Sequence, residues 1–192
     1  MKFNQPKILS YPREYIDSGA DSLVYVVSLP DHKNVILKKY FAAPHITNPK
    51  QLLETLKKYT EDTEKAKIFI SKIGSDYFNN RFFTVNKRKL SVSLEIISQG
   101  IPFIYENNVY SYGQPFIKGK HFPAVPKTKE DRQFNKIYQE IQELALQLSH
   151  HLEIRFWFEV ANMKLFIKKN NLTIYVTDLA TDLKLNYEEY RD

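Results

Sequence analysis

Cysteine is absent from the 192 residues of this chain. Without a thiol the protein cannot form disulfide bonds, zinc sites built on thiolates or a cysteine nucleophile, so these three kinds of chemistry are excluded. The absence also fits a reducing compartment, and we therefore expect a cytoplasmic protein.

Long apolar runs are missing too. No window of the sequence approaches the roughly 18 apolar residues of a membrane span, so we expect no membrane partner. The first residues, MKFNQPKILSYPREY, lack the apolar stretch of a signal peptide. Hydrophobic residues nevertheless make up 43% of the chain and aromatic residues 14%, enough for a core in one domain or two small lobes.

The charge balance is modestly basic, with a net charge of +6 from 28 Lys and Arg against 22 Asp and Glu. The lysines come in short pairs spread along the chain, a pattern typical of a lysine-rich surface in water. Basic surfaces also bind phosphate, as nucleotide or as nucleic acid. Nucleic acid is therefore a less favoured partner that stays open.

The first half of the chain reads as strands around one helix. Residues 22–29 and 34–41 are rich in β-branched and aromatic residues, and the intervening PDHKN favours a turn, so they predict a hairpin. Asn48 and Pro49 predict the start of a helix, and apolar residues recur at helical spacing until Gly74, where we expect the helix to end.

Further strands are predicted at residues 81–85, 90–97 and 109–117, with a turn at Asn107-Asn108. A segment with one glycine and two prolines, residues 119–127, predicts a boundary. The expected division is therefore a sheet lobe over residues 1–118 and a smaller lobe over residues 119–192.

The second part predicts one helix and one hairpin. Thr128 and Asp131 form a capping-box pattern before a long apolar periodicity. Strands at residues 163–169 and 172–177, with a turn at Asn170-Asn171, then predict a closing hairpin. The fold class expected from all these elements is α+β.

Three features carry chemistry. Gly19, in the turn SGADS, lets the backbone approach a ligand closely. Lys38, in the strand VILKK, can present a positive charge to phosphate. Asn162 precedes one strand of the last hairpin and Asp178 follows the other, so the hairpin brings them near each other, and their oxygens suit Mg²⁺.

In this order the motifs resemble the protein-kinase-like fold. IDSGADSLVY is similar to its glycine-rich loop, with Gly19 at the central glycine and Ser22 at a position for glycine or a small residue. Val24 matches the valine that packs on adenine. VILK matches the strand that carries the phosphate-binding lysine, which is Lys38.

The resemblance continues into the second half. VYSYGQPFIKGKHF is similar to the strand that leads into the hinge, which places Phe116 and Ile117 beside the nucleotide. ANMKLFI and VTDLA match the loop asparagine and the metal-binding aspartate. The resemblance therefore implies that ATP and Mg²⁺ bind, with Asn162 and Asp178 as metal ligands and Lys38 on the α and β phosphates.

An acid on the helix should pair with Lys38, and three acids compete for this role. The family pattern favours a glutamate, Glu61 or Glu64, and we assign Glu64 to the nucleotide site. Helical periodicity instead places Asp62 nearest the apolar face. The choice among the three stays open at this stage.

The departures from the family pattern concern catalysis. Trp157, expected in the core, stands where the catalytic aspartate should be, and Glu159 is the nearby acid that could replace it as base. Ala180 stands where the third residue of the DFG motif is glycine. The chain ends fourteen residues after Asp178, which leaves no room for an activation loop. A protein that completes the small lobe is one candidate partner, and the sequence leaves this open.

These departures favour a nucleotide-binding pseudokinase over an efficient kinase, with a weak phosphotransferase as the second interpretation. The alternative class is a non-enzymatic basic module that binds a partner protein or nucleic acid, where exposed aromatic residues could stack on bases.

The adjacent His150 and His151 point to different helix faces and predict no metal site. One of them should pack near the loop.

Overall fold

The computed structural model describes residues 5–18, 21–31, 33–41, 48–78, 81–123 and 125–181. The strands are Arg13–Ser18 (β1), Ser22–Ser28 (β2), Asn34–Tyr40 (β3), Phe82–Val85 (β4), Arg88–Ile96 (β5), Ile101–Tyr105 (β6), Asn108–Pro115 (β7), Lys120–His121 (β8), Phe156–Trp157 (β9), Met163–Lys168 (β10), Asn171–Val176 (β11) and Ala180–Thr181 (β12). The α-helices are Pro49–Phe78 (α1) and Lys129–Leu152 (α2), and the short 3-10 helices are Gln5–Ser10 and Val160–Asn162. No described helix is long and apolar enough to cross a membrane.

The chain forms two compact units. The first contains the described residues up to Asp62 together with Ser98–Phe116, and the second contains Thr63–Ile97 together with the described residues from Ile117 onward. Helix α1 therefore contributes to both units. The units also differ from the expected lobes, because residues 63–97 belong with the second unit.

The first unit contains an antiparallel sheet in the order β1-β2-β3-β7-β6. The predicted hairpin of β2 and β3 is confirmed, with Ser22 opposite Tyr40 and Ser28 opposite Asn34. Gly113 has φ of +101° at the point where the register of β3 and β7 shifts by one residue. The core of this sheet consists of Ile8, Val27, Leu29, Leu37, Phe103 and Tyr112.

The turn between β6 and β7 lies one residue earlier than predicted. Glu106 and Asn107 both have positive φ, 46° and 62°, as a two-residue hairpin turn of type I′ requires. Asn108 instead belongs to the strand, and its side-chain Nδ2 donates a hydrogen bond of 2.9 Å to the carbonyl oxygen of Glu106.

Helix α1 begins as predicted. The Asn48 side chain accepts a hydrogen bond of 2.9 Å from the backbone N–H of Lys50. Its predicted end at Gly74 is wrong, since the helix continues to Phe78. Tyr77 and Phe78 pack against the second core, and this burial outweighs the low helical propensity of one glycine.

The second unit contains a mixed sheet in the order β4-β5-β11-β10-β8. Strands β5 and β11 are parallel, from Ser91 opposite Asn171 to Ile96 opposite Val176. The closing hairpin was expected to stand alone with its helix. Instead β4, β5 and β8 extend it, because the alternate apolar residues of β5 and β11 share one core.

Helix α2 confirms the capping box. The Thr128 hydroxyl accepts a hydrogen bond of 3.1 Å from the backbone N–H of Asp131, and the Asp131 carboxylate accepts one of 2.9 Å from the backbone N–H of Thr128. The buried face follows the predicted spacing, with Phe134, Ile137, Ile141, Leu144, Ala145 and Leu148.

The turn of the β10–β11 hairpin is at Lys169 and Asn170, one residue earlier than predicted, and Lys169 has φ of +56°.

Candidate functional site

Asn162 and Asp178 are brought to the same end of the β10–β11 hairpin. Beyond the last strand pair, Met163 with Val176, the carbonyl oxygen of Asn162 accepts hydrogen bonds from the backbone N–H (2.8 Å) and the hydroxyl (3.0 Å) of Thr177. Asp178 follows directly and is half-buried. The proximity expected from the hairpin is therefore present at the level of the backbone.

A second pairing holds the other side of Asp178. Strand β12 pairs antiparallel with β9, placing Ala180 opposite Trp157 and Thr181 opposite Phe156. Only Asp178 and the buried Leu179 lie between the two pairings. The carboxylate therefore projects from a short segment whose backbone is anchored at both ends.

Glu159 connects Trp157 with Asn162. Its Oε2 accepts a hydrogen bond of 2.9 Å from Asn162 Nδ2, and its Oε1 accepts one of 3.3 Å from Trp157 Nε1. Among the described residues, Asn162 Oδ1 accepts no hydrogen bond. Because Nδ2 is engaged by Glu159, the amide oxygen is oriented away from this carboxylate and is available to a cation.

Helix α2 anchors the loop that carries Glu159. Tyr138 Oη and Gln142 Nε2 donate hydrogen bonds of 3.0 and 2.6 Å to the carbonyl oxygen of Phe158. The Ser149 hydroxyl accepts a hydrogen bond of 2.7 Å from the backbone N–H of Phe156. Burial raises the pKa of the Tyr138 phenol, and the charge of Glu159 adds to this effect, so Tyr138 stays a neutral donor.

These three anchors were not predicted from the sequence. Tyr138, Gln142 and Ser149 are spaced by four and seven residues, and so lie on one side of the helix close to its buried stripe. Polar residues at such positions are a signal that a helix holds a neighbouring loop by hydrogen bonds.

Trp157 was expected in the core, and this expectation is wrong. Phe156 and Phe158 are buried, whereas Trp157 is half-buried between them. Successive residues of an extended segment point to opposite sides, so only the two phenylalanines reach the core. The Trp157 ring instead lies 5.9 Å from the guanidinium carbon of Arg155.

The metal site expected here would be sparse in protein ligands. Among the described residues, no group of three or more His, Asp or Glu side chains could hold a metal ion. Asn162 and Asp178 would supply two oxygen ligands, and phosphate and water would supply the others, which is the usual arrangement for Mg²⁺. Metal binding by this pair stays a prediction.

The residues assigned to phosphate and adenine lie in the first unit. Lys38 is in the middle of β3, half-buried, with Val24 opposite in β2 and Ser111 opposite in β7. Ser22 is 2% exposed, and its hydroxyl donates a hydrogen bond of 2.9 Å to Asp21 Oδ1. Gly19 lies outside the described residues.

The three acids of α1 have different environments. Glu61 is exposed, and Glu64 is half-buried with its Oε2 3.7 Å from Lys67 Nζ. Asp62 is 1% exposed, as its place near the apolar face predicted. Asp62 also shares the first unit with Lys38, whereas Glu64 belongs to the second unit.

One of the points at which the chain passes from the first unit to the second lies within the predicted hinge. The first unit includes Phe116 and the second resumes at Ile117, and both side chains are half-buried. The backbone N–H of Phe116 donates a hydrogen bond of 3.3 Å to the carbonyl oxygen of Asn34. Contact of these two residues with a nucleotide stays a prediction.

An open pocket of about 490 Å³ lies in the second unit, at the end of α2. Its lining includes Trp157, Arg155 and His150, but not Glu159, Asn162 or Asp178. It is therefore separate from the residues assigned to metal.

The two adjacent histidines point in different directions, as expected. His150 lines this pocket, whereas the His151 ring lies against Phe69, with ring centroids 4.4 Å apart.

No family model and no curated protein matches this chain. Among solved structures, the kinase domain of maize sucrose-induced receptor kinase 1 bound to AMP-PNP is similar, with a TM-score of 0.51 and 8% identity. The match covers 98% of this chain and 59% of that kinase domain. A Mycobacterium tuberculosis protein in complex with erythromycin matches at a TM-score of 0.39 and 12% identity, over 88% of this chain and 46% of the other. At 8% identity the first match concerns the fold alone, which is α+β and kinase-like.

Proposed function

We propose that this protein binds a nucleoside triphosphate with Mg²⁺ and transfers its phosphoryl group poorly or not at all. The observation that carries the proposal is the pair of backbone pairings around Asp178. Thr177 donates a backbone hydrogen bond to Asn162, and Ala180 pairs with Trp157. The backbone that carries Asn162 and Asp178 is therefore fixed on both sides of Asp178.

The chemistry of this place suits a magnesium–phosphate group. Asp178 offers a carboxylate, and Asn162 offers an amide oxygen that accepts no hydrogen bond from a described residue. Mg²⁺ is commonly held by one or two protein oxygens together with substrate phosphates. A metal at these two residues would therefore need the phosphates of a nucleotide to complete its coordination.

Lys38 would contribute the positive charge. Lys38 stands on the strand that the kinase-like fold uses for its phosphate-binding lysine, and Val24 is its direct neighbour across the hairpin. Asp62, buried on α1, is the acid we assign to Lys38, because a buried carboxylate is costly without a positive partner. This assignment replaces Glu64, which lies close to Lys67.

Efficient transfer needs a base that reaches the acceptor hydroxyl. Trp157 stands at the position of that base, and its indole cannot accept a proton. Both carboxylate oxygens of Glu159 already accept hydrogen bonds from neighbouring side chains. We therefore assign Glu159 to the orientation of Asn162 rather than to proton transfer.

The test is a thermal-shift titration with ATP and Mg²⁺. A ligand at about one hundred times its dissociation constant stabilises the folded state by roughly 2.7 kcal/mol, so the melting temperature should rise by several degrees. The rise should require Mg²⁺ and should be lost in Lys38→Ala and in Asp178→Ala.

Matched controls are Lys39→Ala, which removes the next lysine on the other side of β3, and Asp76→Ala, which removes an exposed acid of α1. Both should retain the shift. No shift in folded wild-type protein would reject nucleotide binding. A shift that persists in Asp178→Ala would reject the metal assignment alone.

A further inference from the structure

The mixed sheet of the second unit has one buried face and one outward face. Along β5 the residues Leu90, Val92, Leu94 and Ile96 are buried, and the alternate residues point the other way. The same alternation runs through β11, where Leu172, Ile174 and Val176 are buried. The outward face therefore includes, toward one end, Phe82 and Thr84 of β4, Lys89, Ser91 and Ser93 of β5, Asn171 and Thr173 of β11, and Phe166 and Lys168 of β10. Toward its other end it includes Glu95, Tyr175 and Lys164.

The centre of this outward face is a row of small polar side chains. Ser91 Oγ hydrogen-bonds Asn171 Oδ1, and Ser93 Oγ donates to Thr173 Oγ1 at 3.2 Å. These bonds tie the parallel strands β5 and β11 together through their side chains. The result is a row of polar side chains two strands wide, called the polar floor below.

An exposed aromatic ring stands on each side of the floor. Phe82 pairs with Ser91 on one side and is 54% exposed, and Phe166 pairs with Thr173 on the other side and is 47% exposed. The two rings lie on strands three spacings apart, or about 14 Å across the sheet. Single exposed apolar residues are common on protein surfaces. Two exposed phenylalanines on opposite sides of the polar floor are less easily explained in this way, and they suggest a binding surface.

Positive charge gathers at the same end of the sheet. Lys89 and Lys168 point outward from the strands, Arg88 is the first residue of β5, and the adjoining turns add Lys87 and Lys169; all five are exposed. None of the five forms an ion pair with a described residue. Lys89 Nζ lies 4.2 Å from the centroid of the Phe82 ring, so a cation and a ring occupy adjacent positions.

Acidic groups are few near this end. Glu95 points outward from β5 but pairs with Tyr175, toward the opposite end of the strands. Glu130 of α2 accepts a hydrogen bond of 2.7 Å from Asn86 Nδ2 in the β4–β5 turn. The five cations therefore outnumber the acids and leave the end of the sheet positive.

We propose that the outward face of this sheet binds single-stranded nucleic acid. Phe82 and Phe166 would each stack on a base, the polar floor would contact base edges, and the five cations would neutralise phosphates. Sheets with exposed aromatic rings and cationic borders recognise unpaired strands in this way, because only unpaired bases offer their faces for stacking. The inference is independent of nucleotide binding, since it uses none of the residues assigned to ATP or Mg²⁺.

Two other polyanions fit the face less well. A duplex hides its base faces, so the two rings would add nothing to binding. An anionic membrane would have to cover the polar serine, asparagine and threonine floor with lipid, which is unfavourable. Charge complementarity and exposed rings together therefore favour an unpaired strand.

The test is fluorescence anisotropy with labelled oligothymidylate and oligouridylate of about 15 nucleotides, the upper site size of one small binding sheet. Phe82→Leu and Phe166→Leu should each weaken binding at least about fivefold, since stacking is lost while apolar volume is kept. Phe82→Trp should retain affinity. Phe41→Leu, at an exposed phenylalanine of the first unit, is the matched control and should have no effect.

The charge part of the proposal has its own readout. The double variant Lys89→Gln with Lys168→Gln should make the dependence of log K on log salt less steep by about 1.4, the value for two phosphate contacts. Lys50→Gln with Lys58→Gln removes the same charge from exposed positions of α1 and should leave the slope unchanged. All substituted side chains are exposed, and melting temperatures will show that each variant folds.

Three results would overturn the proposal. One is the absence of oligonucleotide binding at low salt, and a second is equal affinity for a duplex of the same length with no effect of the phenylalanine variants. The third is binding to phosphatidylserine vesicles but not to oligonucleotides, which would make the face a membrane-binding surface instead.

Discussion

At the scale of single residues, Glu159 holds the side chain of Asn162, one of the two proposed metal ligands. The position of Glu159 on the loop predicted a substitute base. In the folded chain it bridges the Trp157 indole and the Asn162 amide. A carboxylate that fixes the orientation of a ligand acts as an outer-shell partner of the metal.

Replacing this carboxylate should therefore weaken metal binding. For Glu159→Ala we expect the Mg²⁺ concentration needed for half of the ATP thermal shift to rise by about tenfold or more, the usual effect of losing such a partner. Glu54→Ala, an exposed acid of α1, is the control. An unchanged Mg²⁺ requirement, together with loss of measurable ATP turnover, would instead make Glu159 the base.

At the scale of elements, helix α2 supports the loop of residues 156–159, which carries Glu159. It begins at a complete capping box and its side chains hold Phe156 and Phe158. The cap fixes where the helix starts, and the helix in turn fixes where Tyr138, Gln142 and Ser149 stand. The capping box at Thr128 therefore helps to position the loop at Phe158, about thirty residues later in the chain.

The capping box makes the stability depend on pH. The backbone N–H of Thr128 donates to the Asp131 carboxylate and is the largest cause of its lowered pKa. A carboxyl whose pKa is lower in the folded state stabilises the fold above its unfolded pKa, about 3.9. This contribution is lost as the pH falls through the lower, folded pKa.

We therefore expect the stability difference between wild type and Asp131→Asn to be constant from about pH 7 to pH 5 and to shrink below about pH 4. Thr128→Ala should cost about 1 kcal/mol at neutral pH. Urea unfolding followed by circular dichroism measures both. A difference between wild type and Asp131→Asn that does not change with pH would show that the carboxylate does not carry the cap.

At the scale of the whole molecule, two proposed functions rest on separate residues. The nucleic-acid face lies near the amino end of β11, and Asp178 follows its carboxyl end. From Thr173 to Asp178 the chain covers about 16 Å if extended. The net charge of +6 alone explains neither proposal, because both depend on particular side chains.

This separation is testable on the intact chain. Asp178→Ala should lose the Mg–ATP thermal shift but keep its oligonucleotide affinity within about twofold, as expected for sites this far apart. Phe82→Leu should show the reverse. If each variant lost both ligands, the two sites would be coupled or the variants misfolded, and circular dichroism would distinguish these cases.

Much of the local structure could be predicted. The β2–β3 hairpin, the start of α1 and the capping box of α2 follow from alternation, turn residues and caps, which act over a few residues. The errors are local as well: the turns of the β6–β7 and β10–β11 hairpins each lie one residue earlier than predicted, and Gly74 does not end its helix. In the latter case packing of Tyr77 and Phe78 overrides propensity.

The candidate site was only partly predictable. A hairpin brings its two ends together, and Asn162 indeed accepts a hydrogen bond from Thr177, the residue before Asp178. No sequence motif predicts the hydrogen bond from Asn162 to Glu159 or the hydrogen bonds made by Tyr138, Gln142 and Ser149 of α2, because these depend on contacts formed only in the folded chain. Asp62 was found near the apolar face by periodicity, but only the fold shows that it belongs to the same unit as Lys38.

The sequence by itself determined the absence of thiol chemistry and the α+β order of the main elements. These depend on composition and on interactions between near neighbours. Only the tertiary structure decided that β5 pairs in parallel with β11, some eighty residues away, and that β9 pairs with β12. An apolar strand specifies which of its faces is buried but not which strand lies beside it, and that choice is made when the whole core packs.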